Sequence, residues 1–284
     1  MQPPERPPAP KKRYLCSMQN CNSEHRDIPV TTLADEYGIL AATTWRGDEA
    51  CREDNYSGFS LCHYTGDGET HFMECRRRLA EWYGVGNGKL FVPRQTHSVN
   101  VAVITRQNIA AVDIDNHDAL VTDMPGIIIG VNTADCVPVI MYDPENRVVA
   151  AAHAGWRGAV GGIVGNTVDA MTRLKADPRS IRAIVCPAIC PGCFEVGEEV
   201  AARFPENRVI RHNGCRPHVD LPGYVGDCLE NKGVLRSNIC QTGECTRCHP
   251  MKYFSARASG INSGRNFSFV MIKPSQGHTG DDFL

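Results

Sequence analysis

Apolar positions along this chain fall into two kinds of segment. Short runs rich in β-branched residues read as strands over 38–44, 90–92, 99–104, 119–122, 127–131, 137–142, 148–153 and 181–186. Longer stretches carry apolar residues three and four apart and read as helices. One covers 69–83, with Phe72, Leu79, Trp82 and Tyr83 to one side. Another covers 156–174, with Val160, Ile163, Val164, Val168, Met171 and Leu174. A short helix is predicted over 196–204 and a further one within 219–232. The Asp143-Pro144-Glu145-Asn146 break predicts a hairpin between 137–142 and 148–153, and 253–272 reads as a strand pair across Asn262-Ser263-Gly264. Strands alternate with helices, yet hairpins are frequent. The expected fold is therefore α/β (α+β-like), one domain with mixed sheets and flanking helices. Residues 1–28 are proline-rich, then polar and aperiodic, and predict an N-terminal arm ahead of a single domain over 29–284.

Composition narrows this picture by exclusion. At 284 residues, 42% apolar and 22% charged, the chain has ample material for a buried core. A formal charge of −2 leaves no electrostatic footprint for nucleic acid. No apolar run approaches the ~20 residues that span a bilayer, so no membrane partner is expected. The charged N-terminus is not followed by an apolar segment, which argues against a secretory signal and for the cytoplasm. Fourteen cysteines in such a chain read mostly as small buried apolar residues rather than disulfides.

The stretch 131–158 concentrates candidate chemistry. Cys136 follows Thr133-Ala134-Asp135, and His153 opens His153-Ala154-Gly155-Trp156-Arg157-Gly158. Upstream, His97 ends Arg94-Gln95-Thr96-His97. Two imidazoles and a thiolate form a ligand set for a transition metal with one coordination position left open. Gln95 and Asp135 are candidates to orient those ligands. Arg157, beside a helix start, is a candidate anion contact. The same residues also suit a metal-free hydrolase, with Cys136 as a nucleophile activated by a histidine and amides as substrates. The bland alternative is a tight strand-to-helix turn around Trp156. Elsewhere, Cys245-Thr246-Arg247-Cys248-His249 matches a haem-attachment pattern, and together with Cys190-Pro191-Gly192-Cys193 it could make a four-cysteine zinc site. The pairs lie about fifty residues apart, longer than the usual zinc ribbon. The reading carried forward for all four is structural.

Three of these motifs, Gln95-Thr96-His97, Thr133 to Pro138 and His153 to Gly158, together resemble the signatures of the YfiH/YlmD family, long labelled laccase-like polyphenol oxidases and similar to mammalian FAMIN. The resemblance continues through Phe194-Glu195-Val196-Gly197, Asp220-Leu221, Cys245-Thr246, Phe254-Ser255-Ala256-Arg257 and Ser263-Gly264-Arg265. It implies a fold similar to the catalytic domain of a deamidating toxin. It also implies a Zn2+ site at His97, Cys136 and His153, phosphorolysis of adenosine, inosine and methylthioadenosine, and adenosine deamination. Purine nucleoside and phosphate are then the expected small-molecule partners. The same ligands accept Cu2+, which keeps a polyphenol oxidase acting on phenols as the alternative. Ten histidines without a single His-x-His argue against a four-copper relay. A non-enzymatic binding protein is the remaining alternative. The chain departs from the family at Trp45, Asp48 and Ser60; either Arg46 takes over an anion contact from the neighbouring position, or that contact is lost.

Overall fold

The computed structural model describes residues 28–48, 50, 51 and 53–274. The expected N-terminal arm lies outside them, apart from its last residue.

The chain opens with an antiparallel hairpin, β1 (Val30–Glu36) and β2 (Ile39–Thr44), followed by helix α1 (Glu69–Trp82) and the short strand β3 (Leu90–Phe91). Five strands come next: β4 (Val101–Ile104), β5 (Ala119–Thr122), β6 (Ile128–Thr133), β7 (Val137–Asp143) and β8 (Val148–Ala154). Helices α2 (Trp156–Gly161) and α3 (Ile163–Arg173) lead to β9 (Arg182–Val185) and α4 (Glu198–Ala201). Two-residue strands β10 (Val209–Ile210) and β11 (His218–Val219) precede α5 (Leu221–Asn231) and β12 (Ile239–Gln241). A helical turn α6 (Ala256–Ser259) and strand β13 (Asn266–Ile272) complete the described chain.

Two mixed sheets form from these strands, in the orders β1-β2-β13-β6-β3 and β12-β9-β7-β8-β5-β4. Only the β3–β6, β4–β5 and β9–β12 pairs within them are parallel. The expected α/β class with mixed sheets is borne out. Strands β7 and β8 are buried at every position, which is why their sequences run apolar without a polar face.

Successive side chains of a strand point to opposite faces, and the packing sorts them accordingly. In β8, Val148, Ala150, Ala152 and Ala154 pack toward α3 and α5, whereas Val149 and Ala151 pack against the first sheet through Ile39, Ile129, Val131 and Val270. A third cluster joins the far face of the first sheet to Cys75, Leu79 and Ala80 of α1. The layers therefore run α1, sheet, sheet, helices.

Two sequence expectations need correction. The helix expected over 156–174 is broken at Gly162, whose φ of +100° is left-handed and reached cheaply only by glycine. The first strand of the pair expected over 253–272 does not form; Ala256–Ser259 instead make a helical turn capped by Ser255, whose side chain accepts from Ala258 N. Among the described residues, no helix is long and apolar enough to cross a membrane.

Candidate metal centre

The inter-sheet layer ends in polar residues, and strand parity explains which ones. Tyr142, Ile140 and Pro138 share a face of β7, and stepping back two more residues reaches Cys136. Pro138 pairs with His153, and directly opposed residues share a face, so His153 continues the row of Val149 and Ala151. Ala119 pairs with Ala152, and Asp118 precedes it on the face of Leu120. Cys136, His153 and Asp118 thus cap one end of the core between the sheets.

His97 arrives from the connection between β3 of one sheet and β4 of the other. Asp118, wholly buried, anchors it there. Its carboxylate accepts the backbone N–H groups of Thr96 (3.2 Å), His97 (3.0 Å) and Ser98 (2.7 Å), and the Ser98 hydroxyl at 2.7 Å. The same carboxylate lies 2.6 Å from His153 Nδ1, and Asp118 O accepts from His153 N at 2.7 Å. One buried side chain thereby fixes both histidines. His97 has a φ of +61° and Asp135 one of +84°, left-handed conformations that non-glycine residues adopt at a cost.

The donor atoms of His97, Cys136 and His153 all lie within 4.8 Å of one another. Cys136 Sγ is 3.7 Å from His97 Nε2, close to the ~3.6 Å that two bonds of zinc length span in a tetrahedron. The two imidazoles meet edge to face at 4.8 Å between centroids. A Cβ on Gly155 would sit 2.5 Å from His97 Cδ2 and 3.2 Å from Cys136 Sγ, so glycine here keeps the space between the ligands open. His153 is buried, Cys136 is half-buried and His97 is exposed, so the centre opens to solvent on the His97 side.

Electrostatics favour a thiolate. Burial alone would push the Cys136 thiol up. The charge and hydrogen bond of His153, then those of His97, outweigh it and bring the thiol down to about 6. Burial likewise disfavours a charged His153, but the Cys136 thiolate and the Asp118 hydrogen bond raise it to about 9. Burial would raise Asp118, and the His153 and Ser98 hydrogen bonds overcome that and hold it at about 2. These residues fit a divalent transition metal: an anionic sulfur, an imidazole oriented by a carboxylate, and an open side.

The other candidates are placed differently. Gln95 spends its amide on the backbone of β6, donating to Asn132 O at 2.7 Å and accepting from Asn132 N at 2.8 Å. Asp135 turns away from the centre; its carboxylate accepts from Thr246 Oγ1 at 2.7 Å and Arg257 N at 2.6 Å. Arg46 is buried and donates to the backbone carbonyls of Cys51, Asp54, Ser57 and Pro250. In this arrangement the Arg46 donors organise a loop. Ser60 is equally internal and accepts from Arg265 N at 3.1 Å. Arg157 is exposed at the start of α2, with its guanidinium 4.3 Å above the Trp156 ring. Asp118 escaped the sequence reading. Its only sequence signal is an aspartate immediately before an apolar strand.

Comparison with known proteins agrees with this architecture. Residues 41–273 match the family model described as multi-copper polyphenol oxidoreductase laccase. The chain is 42% identical over 250 residues to adenosine deaminase RL5 of an unknown prokaryotic organism, covering 83% of this chain and 95% of that protein. It is 35% identical over 230 residues to a purine nucleoside phosphorylase of Deinococcus radiodurans, covering 80% and 87%. The crystal structure of Bacillus licheniformis hypothetical protein YfiH superposes with a TM-score of 0.79 at 25% identity, covering 87% of this chain and 98% of that one. The chain belongs to this laccase-like YfiH/YlmD family.

Proposed function

We propose that this enzyme is a zinc-dependent purine nucleoside phosphorylase that also deaminates adenosine, with His97, Cys136 and His153 as metal ligands. The carrying observation is the convergence of these three donors within 4.8 Å. It occurs in a chain 42% and 35% identical to proteins named for those two activities.

Bound there, zinc supplies Lewis acidity, which lowers the pKa of water from ~15.7 to ~7. The chain's own residues do the rest. Asp118 holds the proton on His153 Nδ1, so that Nε2 presents its lone pair to the centre. Cys136 contributes a thiolate at neutral pH, and the exposed side at His97 admits substrate. In deamination, water adds to the amino-bearing carbon of adenine and ammonia leaves. In phosphorolysis, a phosphate oxygen bonds to the anomeric carbon of the sugar as the N-glycosidic bond breaks, and the electron pair departs with the purine. To Arg157, an exposed cation at the start of α2, we assign the holding of that phosphate while positive charge builds on the ring.

The family description favours a second reading, phenol oxidation by a single copper in the same site. One experiment ranks them: adenosine incubated with metal-quantified protein, with and without phosphate, then separated by chromatography. Adenine formed only with phosphate, and inosine formed without it, are expected. Unchanged adenosine from zinc-replete protein overturns the nucleoside reading and directs the test to phenols with copper-loaded protein.

A further inference from the structure

Four cysteines outside the centre, in two pairs of two-residue spacing about fifty residues apart, come together in the fold. Strands β9 and β12 are parallel neighbours, with Val185 beside Gln241, so the loops leaving their C-terminal ends run side by side. A further parallel bridge joins Ala188 to Cys245. Cys190 and Cys193 on one loop thereby face Cys245 and Cys248 on the other. All four sulfurs lie within 4.8 Å of one another, with Cys193 Sγ and Cys248 Sγ at 3.4 Å.

Two features go beyond chance packing. Tetrahedral coordination with Zn–S bonds of ~2.3 Å separates sulfurs by about 3.8 Å, inside the 4.8 Å within which all four sulfurs lie. In addition, the backbone N–H groups of Cys190 (3.2 Å) and Cys248 (3.4 Å) both point at Cys245 Sγ. Amide donors converging on one sulfur stabilise a thiolate.

We propose that Cys190, Cys193, Cys245 and Cys248 bind a second, structural zinc ion. Four soft thiolates in tetrahedral array select zinc or iron, and a site with four protein ligands leaves no position for substrate. The exposed Arg257 guanidinium donates to Cys193 O at 3.3 Å and Glu195 O at 3.0 Å, placing positive charge beside a centre whose thiolates give it net negative charge. The site also fastens the turn that carries Cys136. Ile189 N donates to Asp135 O at 2.9 Å, and Thr246 Oγ1 donates to the Asp135 carboxylate. Clamping these loops therefore holds Asp135 in its left-handed conformation directly before Cys136.

Metal analysis of the full chain, purified under reducing conditions without chelator, tests this. About two equivalents of zinc are expected, falling to about one both in the double variant Cys193→Ser/Cys248→Ser and in the separate double variant His97→Ala/Cys136→Ser. The two sites are thus scored independently, and failure of either leaves the other interpretable. Cobalt substitution guards against a variant that misfolds. With Cys136→Ser, the intense thiolate-to-cobalt absorption of a tetrathiolate site should persist. Overturning results are zinc content unchanged by Cys193→Ser/Cys248→Ser, absence of that absorption, iron in place of zinc, or a Cys193–Cys248 disulfide in anaerobically prepared protein.

Discussion

Asp118 Oδ1 lies 2.6 Å from His153 Nδ1 while the same carboxylate receives the backbone of the His97 turn. One carboxylate therefore orients two candidate ligands, His153 in β8 and His97 in the connection between the sheets. Asp118→Asn keeps the volume but removes the charge that matches the His153 proton. Loss of such an outer partner costs about 10–100-fold in metal affinity. Competition against a chromophoric chelator should show a weakening of that size at the His97/Cys136/His153 site. Unchanged affinity would make Asp118 a packing residue only.

Metal binding should be coupled to pH in a definite direction. Cys136 titrates at about 6 and His153 at about 9 in the metal-free pair, so at pH ~7.5 the sulfur is already a thiolate and the imidazole is protonated. Zinc takes a neutral imidazole, so binding expels about one proton, and log K should rise about one unit per pH unit between roughly 7 and 9. The rise ends above about 9, where His153 is already neutral. Calorimetry in two buffers of different ionisation enthalpy counts the protons. Release of two at pH ~7.5 would mean that Cys136 is a neutral thiol before metal arrives.

Much of this site could be read from the sequence because local motifs carry it. His97, Cys136 and His153 each end or adjoin an apolar strand, and the hairpin that pairs 137–143 with 148–154 is announced by its turn residues. Asp118 was not legible, because its role depends on the register of Ala119 against Ala152, which no local pattern encodes. The four-cysteine cluster was half legible: its paired two-residue spacings raised a zinc site, but the β9–β12 parallel pairing that joins the loops, across about fifty residues of chain, is written in no local pattern. Strands of two or three residues, such as β10, β11 and β12, are too short to show a period. The helix break at Gly162 was masked because apolar spacing continues across it.

Gly155 and Gly162 should respond oppositely to alanine. Gly155 has a φ of −64°, which alanine adopts freely, yet its new Cβ would press on His97 and Cys136. Gly155→Ala should therefore keep its fold by circular dichroism and melt near the wild type, while losing metal from this centre and at least about tenfold in activity. Gly162 has no heavy atom within 4 Å of an added Cβ, but its φ is +100°. Gly162→Ala should lose about 1–2 kcal/mol of stability and retain its metal. Full zinc content and activity in Gly155→Ala would show that the ligand turn yields to the methyl group.

Arg157 offers the means of separating the two proposed activities. Phosphorolysis needs a cation on phosphate, whereas deamination uses water and no phosphate. The side chain is exposed and lies over the Trp156 ring, so Arg157→Ala should leave the fold and the candidate metal ligands in place. A hydrogen bond to a charged group contributes about 1.5–3 kcal/mol. The specificity constant for phosphate should accordingly fall about 10–100-fold, with conversion of adenosine to inosine unchanged. Arg157→Lys should recover part of the loss, since lysine supplies the charge without the guanidinium fork. Phosphorolysis unaffected by Arg157→Ala would remove the residue from phosphate binding. An equal fall in both activities would place its influence on the centre they share.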